Sequence, residues 1–189
     1  GVPFMVLLPV FASQILHGGA HTYGFLASAT GLGALGGALF LAARRSVRGL
    51  GRVIVIGGLV FGGGLVAFAL SRVLWLALLL LFVTGFGMMT QTAACNTIIQ
   101  TIVDDDKRGR VMSLYTVAVL GMAPFGSLGA GAVAARIGTP LTILVGGVAC
   151  LLGILLFARN LPAMRELIRP IYLEKGIIPG VARGIEGAS

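Results

Sequence analysis

Residues 53–103 read VIVIGGLVFGGGLVAFAL, then SR, then VLWLALLLLFVTGFGMMTQTAACNTIIQTIV. Two long apolar runs are therefore separated only by Ser71 and Arg72. A helix needs about 20 apolar residues to cross the hydrocarbon core of a bilayer, and both runs are close to or above that length. Because the connection is so short, the two helices must be antiparallel neighbours. This stretch predicts an all-α, polytopic membrane helix bundle.

The same pattern continues over most of the chain, which is 57% hydrophobic and 11% charged, against about 25% charged residues in an average soluble protein. Apolar runs predict six transmembrane helices, at residues 1–16, 23–43, 53–70, 73–103, 111–135 and 140–158. The first run is slightly shorter than a full span and starts at Gly1 without an initiator Met. We therefore interpret the chain as part of a longer protein.

The basic residues are distributed unevenly over the connections between these runs. Of the 14 Lys and Arg residues, only Arg72 and Arg136 lie in one alternate set of connections. The other set holds Arg44, Arg45, Arg48, Arg52, Lys107, Arg108, Arg110, Arg159, Arg165, Arg169, Lys175 and Arg183. Cytoplasmic loops retain Lys and Arg. We therefore expect a multi-pass protein of the bacterial inner membrane whose C-terminus is cytoplasmic.

This bias also accounts for the net charge of +8, which in a soluble protein would suggest nucleic-acid binding. We expect the lipid bilayer and its anionic headgroups as partners instead, and no nucleic acid. Residues 159–189 are polar enough to leave the membrane as a cytoplasmic tail. Their apolar residues recur at three- and four-residue steps, which is typical of a short amphipathic helix at headgroup level. These are Leu161, Met164, Leu167, Ile168 and Ile171.

Several predicted helices are rich in small residues. Lipid tails do not drive helices together, so close van der Waals contact over small residues takes that role. Gly33 and Gly37 form a G-x-x-x-G pair in the second span, and Gly121, Gly126 and Gly129 lie in the fifth. Two interpretations stay open: static helix packing, or a seam along the second and fifth spans that rocks during a transport cycle.

Polar side chains enter the membrane mainly in the fourth span. One stripe with a four-residue spacing lies on one helix face, with Gln91 and Cys95 on its flank. The stripe consists of Met88, Thr92, Asn96 and Gln100. Uncharged polar groups that faced lipid would go unsatisfied, so the stripe should face another helix or an aqueous cavity. It therefore predicts either interhelical hydrogen bonds or the wall of a substrate cavity, where amides orient the ligand.

The sequence gives little support to an enzyme. Its acids, Asp104, Asp105, Asp106, Glu166, Glu174 and Glu186, belong to a loop or the tail, and no hydrolytic triad or phosphate loop is present. His17 and His21 are separated by two glycines and have no third ligand nearby, so we expect a solvated loop and no metal. Cys95 and Cys150 lie in apolar runs, where thiols behave as small hydrophobes. No cofactor is expected.

The connection before the fifth span is strongly charged. Asp104, Asp105 and Asp106 precede a predicted helix, where acids favour the positive end of the helix dipole. Lys107, Arg108 and Arg110 follow at once. The pattern predicts a helix cap with a topology signal, or a conformational latch on the cytoplasmic side.

Several motifs together resemble a known family. Residues 106–115 read DKRGRVMSLY and residues 120–126 read LGMAPFG, while YGFL at 23–26, GLGALGG at 31–37 and QTAACNT at 91–97 fit the same branch. The chain resembles the C-terminal half of major facilitator superfamily transporters, in the branch of the enterobactin exporter and macrolide efflux proteins called transmembrane secretion effectors. The resemblance covers essentially the whole chain, as the last six of twelve helices.

The resemblance implies an alternating-access carrier whose substrate cavity lies between two six-helix halves, and whose export is driven by proton antiport. The implied partners are the missing N-terminal half, a small-molecule substrate and protons. The fifth span has a pattern similar to the Gly-Pro signature of antiporter helices, formed by Gly121, Pro124, Gly126 and Gly129. Arg44 and Arg45 occupy the loop where the superfamily carries a Gly-Asp-Arg-Gly-Arg latch, but the Asp is absent. Residues 104–110 are therefore the better gate candidate.

The favoured function is export of an amphipathic small molecule, a drug or a siderophore. An importer of another solute is the alternative within transport, and a membrane scaffold subunit that transports nothing is the alternative outside it. An enzyme is the third class of function, after a transporter and a scaffold.

Overall fold

The computed structural model describes residues 3–44 and 49–174, with side chains as far as residue 162. This part of the chain is entirely helical outside its short connections. The helices are α1 (Pro3–Gln14), α2 (Ala20–Ala42), α3 (Leu50–Leu70), α4 (Leu74–Ile102), α5 (Asp105–Ile137) and α6 (Thr139–Glu174). Helices α2 to α6 are long and apolar enough to cross a membrane, which confirms the polytopic helix bundle.

The first predicted span, residues 1–16, contains helix α1, and residues 1 and 2 lie outside the described part of the chain. The 12 described residues of α1 extend over about 18 Å at 1.5 Å per residue. The helix supplies core side chains: Phe4, Leu7, Leu8, Phe11 and Ala12 are buried. The ring of Phe11 lies 4.4 Å from that of Phe68 on α3. Helix α1 thus packs into the core of the bundle.

The charged connection of residues 104–110 is not a loop, and that part of the prediction was wrong. Helix α5 begins at Asp105, with Asp104 in the N-cap position and Asp106 in the first turn. The physical reason is visible in the sequence: acids stabilise the positive end of a helix dipole, so the helix begins at these residues. Only a two-residue turn at Val103 and Asp104 separates α4 from α5.

The sixth helix is longer than the predicted span. It continues past residue 158, so the first part of the predicted tail extends α6 as far as Glu174. The beginning of this extension packs on α3, because a Cβ added at Gly51 would lie 2.8 Å from Cδ1 of Leu161. Residues 175–189 lie outside the described part of the chain.

Helix α4 is the centre of the bundle, with α2 parallel to it and α3 antiparallel. A Cβ at Gly33 of α2 would collide with the backbone carbonyl of Phe82 on α4. On the other side, a Cβ at Gly87 of α4 would lie 2.7 Å from the carbonyl oxygen of Gly57 on α3. These helices therefore touch backbone to backbone, the contact that small residues allow in membranes.

Helix α3 also packs closely against α6. A Cβ at Gly58 would lie 2.6 Å from Ile154, and one at Gly62 would lie 2.9 Å from Leu151. Helix α5 differs from all the others, since none of its residues is buried against the described part of the chain. Its large apolar side chains are open, with Phe125 71% and Leu128 74% exposed. The bundle thus has a packed side, α2, α3, α4 and α6, and an uncovered side at α5.

The two ends of the bundle differ in charge. Helices α2, α4 and α6 finish at the end where α3 and α5 begin, and we call this end the basic end. Arg44, Arg52, Lys107 and Arg159 lie there, whereas Arg72 and Arg136 lie at the opposite end. The alternation of the basic residues along the sequence is therefore an alternation in space.

Candidate substrate-binding face

The polar stripe lies in the half of α4 nearer the basic end. Thr92 and Gln100 are exposed and Asn96 is half-buried. The Gln100 side-chain amide donates a hydrogen bond to Oδ1 of Asn96 at 3.1 Å, which links neighbouring turns of the helix. In the described part of the chain no other side-chain hydrogen bond engages these two amides, so the Asn96 amide group and Gln100 Oε1 keep capacity for a ligand. Met88 closes the stripe at its inner end, where it packs on the core.

Gln91 points to a different neighbour from the stripe. Its backbone nitrogen and Cβ border Gly57 of α3, and a Cβ added at Gly58 would lie 3.1 Å from Gln91 Oε1. The glycines of α3 thus make room for this side chain beside Ile154 of α6. Among the residues predicted to line a cavity, the structure places Gln91 in a helix interface and the other four along the stripe.

Helix α5 contributes an aromatic side chain opposite this region. Tyr115 is half-buried and lies within electrostatic range of the Cys95 thiol on α4. Cys95 in turn packs against a small core cluster that contains Ala94 and Ile154. The two residues mark where α5 approaches the polar half of α4.

The candidate hinge residues separate into two groups. Gly33 and Gly37 are buried at the contact of α2 with α4, where a Cβ at Gly37 would lie 2.6 Å from the carbonyl oxygen of Phe86. On α5, nothing outside its own helix lies within 4 Å of a Cβ at Gly121 or Gly129. Gly126 borders the ring of Pro3, and α5 continues through Pro124 without a break. Among these candidates, Gly33, Gly37 and Gly126 therefore lie in close helix contacts, whereas Gly121 and Gly129 do not.

The candidate gate residues lie in the first two turns of α5. Lys107 pairs with Asp104 at 3.7 Å, and Arg108 pairs with Asp105. Both pairs join residues three apart on the same helix and are largely solvent-exposed, so each contributes little to stability, about 0–1 kcal/mol. The neighbouring Asp106 and Arg110 are also exposed. We call the charged residues at 104–108 together with Arg110 the charged turn.

Arg44 follows α2 at the same end of the bundle and is exposed. Arg45 lies outside the described residues. No group of three or more His, Cys, Asp or Glu side chains suited to a metal occurs among the described residues. His17 has a positive φ of 50° in the turn before α2, while His21 is inside that helix. The two imidazoles therefore do not share a helix face.

The sequence alone does not identify Tyr115 and Thr90 as residues of this region. Tyr115 belonged to a quoted motif, but its position opposite Cys95 depends on how α5 approaches α4, which no local pattern encodes. Thr90 is 3% exposed, and its hydroxyl has no hydrogen-bond partner in the described part of the chain. It packs against Gly37, whose added Cβ would lie 2.8 Å from Thr90 Oγ1.

Comparison with known proteins identifies a family. The sequence model of transmembrane secretion effectors matches residues 2–170. No curated protein and no solved structure matches the chain.

Proposed function

The chain belongs to the transmembrane secretion effector family of transporters, and from this membership we propose that it is the C-terminal half of a secondary active carrier in the bacterial inner membrane. The carrier exports an amphipathic small molecule, a drug or a siderophore, by alternating access. Its C-terminus is cytoplasmic, and the basic end of the bundle faces the cytoplasm, in keeping with the retention of Lys and Arg in cytoplasmic loops.

The observation that carries this proposal is the polar stripe on α4 together with the uncovered helix α5. Thr92, Asn96 and Gln100 carry hydroxyl and amide groups that their own bundle leaves at least partly exposed, and α5 has no buried residue in the described part of the chain. A helix left this open by its own bundle suits a position at the boundary with a second six-helix half. The stripe would then form one wall of a cavity between the halves.

Proton coupling belongs to the same proposal. The acids whose side chains are described all lie at the charged turn, outside the long apolar part of the helices. Burying an ionisable group in the membrane is costly, and such a group is the usual site of proton binding in a carrier. We therefore assign the proton-binding acid to the other half, and the substrate-orienting amides to this chain.

The test of direction and coupling is transport in everted membrane vesicles that contain the intact carrier, with ethidium as an amphipathic probe. An acid-inside proton gradient should drive ethidium accumulation at least about tenfold above vesicles without the carrier, and a protonophore should abolish it. Accumulation that persists with the protonophore would contradict proton coupling. Accumulation found in right-side-out vesicles instead would contradict export.

A further inference from the structure

The seam between α3 and α6 ends in two arginines at the basic end. Arg52 lies in the first turn of α3 and Arg159 lies near the end of the part of α6 whose side chains are described, and both are exposed. The contact of Gly51 with Leu161 fixes these two parts of the chain beside each other. The arginines therefore stand at the same level of the bundle, on neighbouring helices.

Below each arginine runs an exposed apolar stripe. On α3 it consists of Ile56 and Leu59, four and seven residues after Arg52, and on α6 it consists of Leu152 and Leu155, seven and four residues before Arg159. Residues at these spacings share one helix face. Each stripe is thus an apolar surface that ends in a single guanidinium group.

The two stripes border the same side of the seam. On α3, Leu59 directly follows Gly58, which contacts α6; on α6, Leu155 directly follows Ile154, which makes that contact. A step of one residue turns a helix by about 100°. Because α3 and α6 are antiparallel and face each other, this turn carries both side chains to the same side. The seam is consequently an outer groove with apolar walls and two arginines at its rim.

The charges at this rim are not neutralised by the ion pairs of the described chain. Both of those pairs belong to the charged turn, and neither includes Arg52 or Arg159. A guanidinium group presents a fork of N–H donors that matches the oxygens of a phosphate. Basic sites between transmembrane helices at headgroup level suit anionic lipid headgroups, while the groove below suits an acyl chain.

We propose that the α3–α6 groove is a binding site for one anionic phospholipid, whose phosphate is held by Arg52 and Arg159 and whose acyl chain lies along Leu59 and Leu155. The site lies on the packed side of the bundle, away from α5, and is independent of the proposed transport cycle. It requires both the charge and the acyl chain, so a free phosphate does not replace the lipid.

The experiment measures the melting temperature, Tm, of the purified intact carrier in a neutral detergent. Phosphatidylglycerol, phosphatidylcholine or inorganic phosphate is added in separate samples. Phosphatidylglycerol should raise Tm by about 3 °C, since a ligand that binds only the folded state stabilises it. Phosphatidylcholine and inorganic phosphate should leave Tm unchanged. The variant R52Q/R159Q should lose the shift, whereas R72Q, which removes an exposed arginine at the opposite end, should keep it.

The conservative variant R52K/R159K, which retains both positive charges, provides a check on folding and should recover at least half of the shift. An unchanged phosphatidylglycerol shift in R52Q/R159Q would overturn the site, as would an equal loss in R72Q. An equal shift with inorganic phosphate would show a simple anion site and would overturn the lipid as the ligand.

Discussion

Replacing Asn96 by Leu should reduce export by the intact carrier by about tenfold or more, without lowering its amount in the membrane. Asn96 anchors the polar stripe through the bond from Gln100, and its own amide group is available to a ligand. Loss of one substrate hydrogen bond and of the partner that orients Gln100 removes about 1–1.5 kcal/mol each. A loss of about 1.4 kcal/mol already corresponds to a factor of ten. The measurement is the initial rate of ethidium transport per carrier in everted vesicles.

The matched control is Thr97→Val, one residue further along α4. The Thr97 hydroxyl donates to the backbone carbonyl of Ala93 at 2.9 Å, so it is satisfied inside its own helix. This variant should transport within about twofold of the unmodified carrier, because a side chain already satisfied by its own helix has little to lose. If both variants lost transport equally, or if Asn96→Leu transported normally, the stripe would not orient substrate. A scaffold without transport would show assembly defects alone.

Gly33→Val should destabilise the bundle strongly. The new Cβ would meet the backbone carbonyl of Phe82, which cannot rotate away as a flexible side chain could. Helices α2 and α4 would have to separate along their whole contact, including the Phe40 and Phe86 rings, whose centroids are 5.8 Å apart. Overpacking of this kind costs about 3 kcal/mol, equivalent to a fall in Tm of about 6–12 °C. The measurement is thermal unfolding of the purified protein in detergent.

The same helix offers a control two residues away. Gly31 is exposed, and nothing lies within 4 Å of a Cβ built there. Gly31→Val introduces the same side chain and the same loss of glycine flexibility, so it should leave Tm within about 2 °C of the unmodified protein. Equal destabilisation by both variants would mean that valine acts through helix propensity, and the close α2–α4 contact would lose its support.

The helical architecture could be predicted from the sequence because hydrocarbon thickness and backbone hydrogen bonding leave few alternatives. The connection predicted at Ser71 and Arg72 already required antiparallel neighbours, and α3 and α4 are antiparallel neighbours joined by Ser71, Arg72 and Val73. Helix ends were less predictable. The acids at 104–106 were predicted to cap a helix, and α5 does begin among them at Asp105, but the predicted span began only at residue 111 because the basic residues between were assigned to a loop. Helix α6 continues past the predicted span, and Leu161 in this extension contacts Gly51 of α3.

The candidate site was predictable only in part. The four-residue spacing identified one face of α4, but not which helix each flank meets. Gln91 and Asn96 were both predicted to line the cavity, and the structure separates them because the glycines of α3 accommodate Gln91. In the same way, the glycines of α2 and α5 looked alike, yet those of α2 lie in a close contact while Gly121 and Gly129 of α5 do not. Which surfaces meet is decided by packing across the bundle, and a single helix does not encode it.

The most direct test of the central claim, that the stripe on α4 lines a substrate cavity, is the accessibility of Thr92→Cys. The background carries Cys95→Ser and Cys150→Ser, and the reagent is a membrane-impermeant maleimide applied to vesicles of the intact carrier. Thr92 is exposed, whereas Ala94 is fully buried and Ala94→Cys provides the unreactive control. The proposal predicts that Thr92→Cys is labelled and that ethidium slows its labelling severalfold. Labelling that ethidium does not slow, or no labelling at all in a transporting variant, would contradict it.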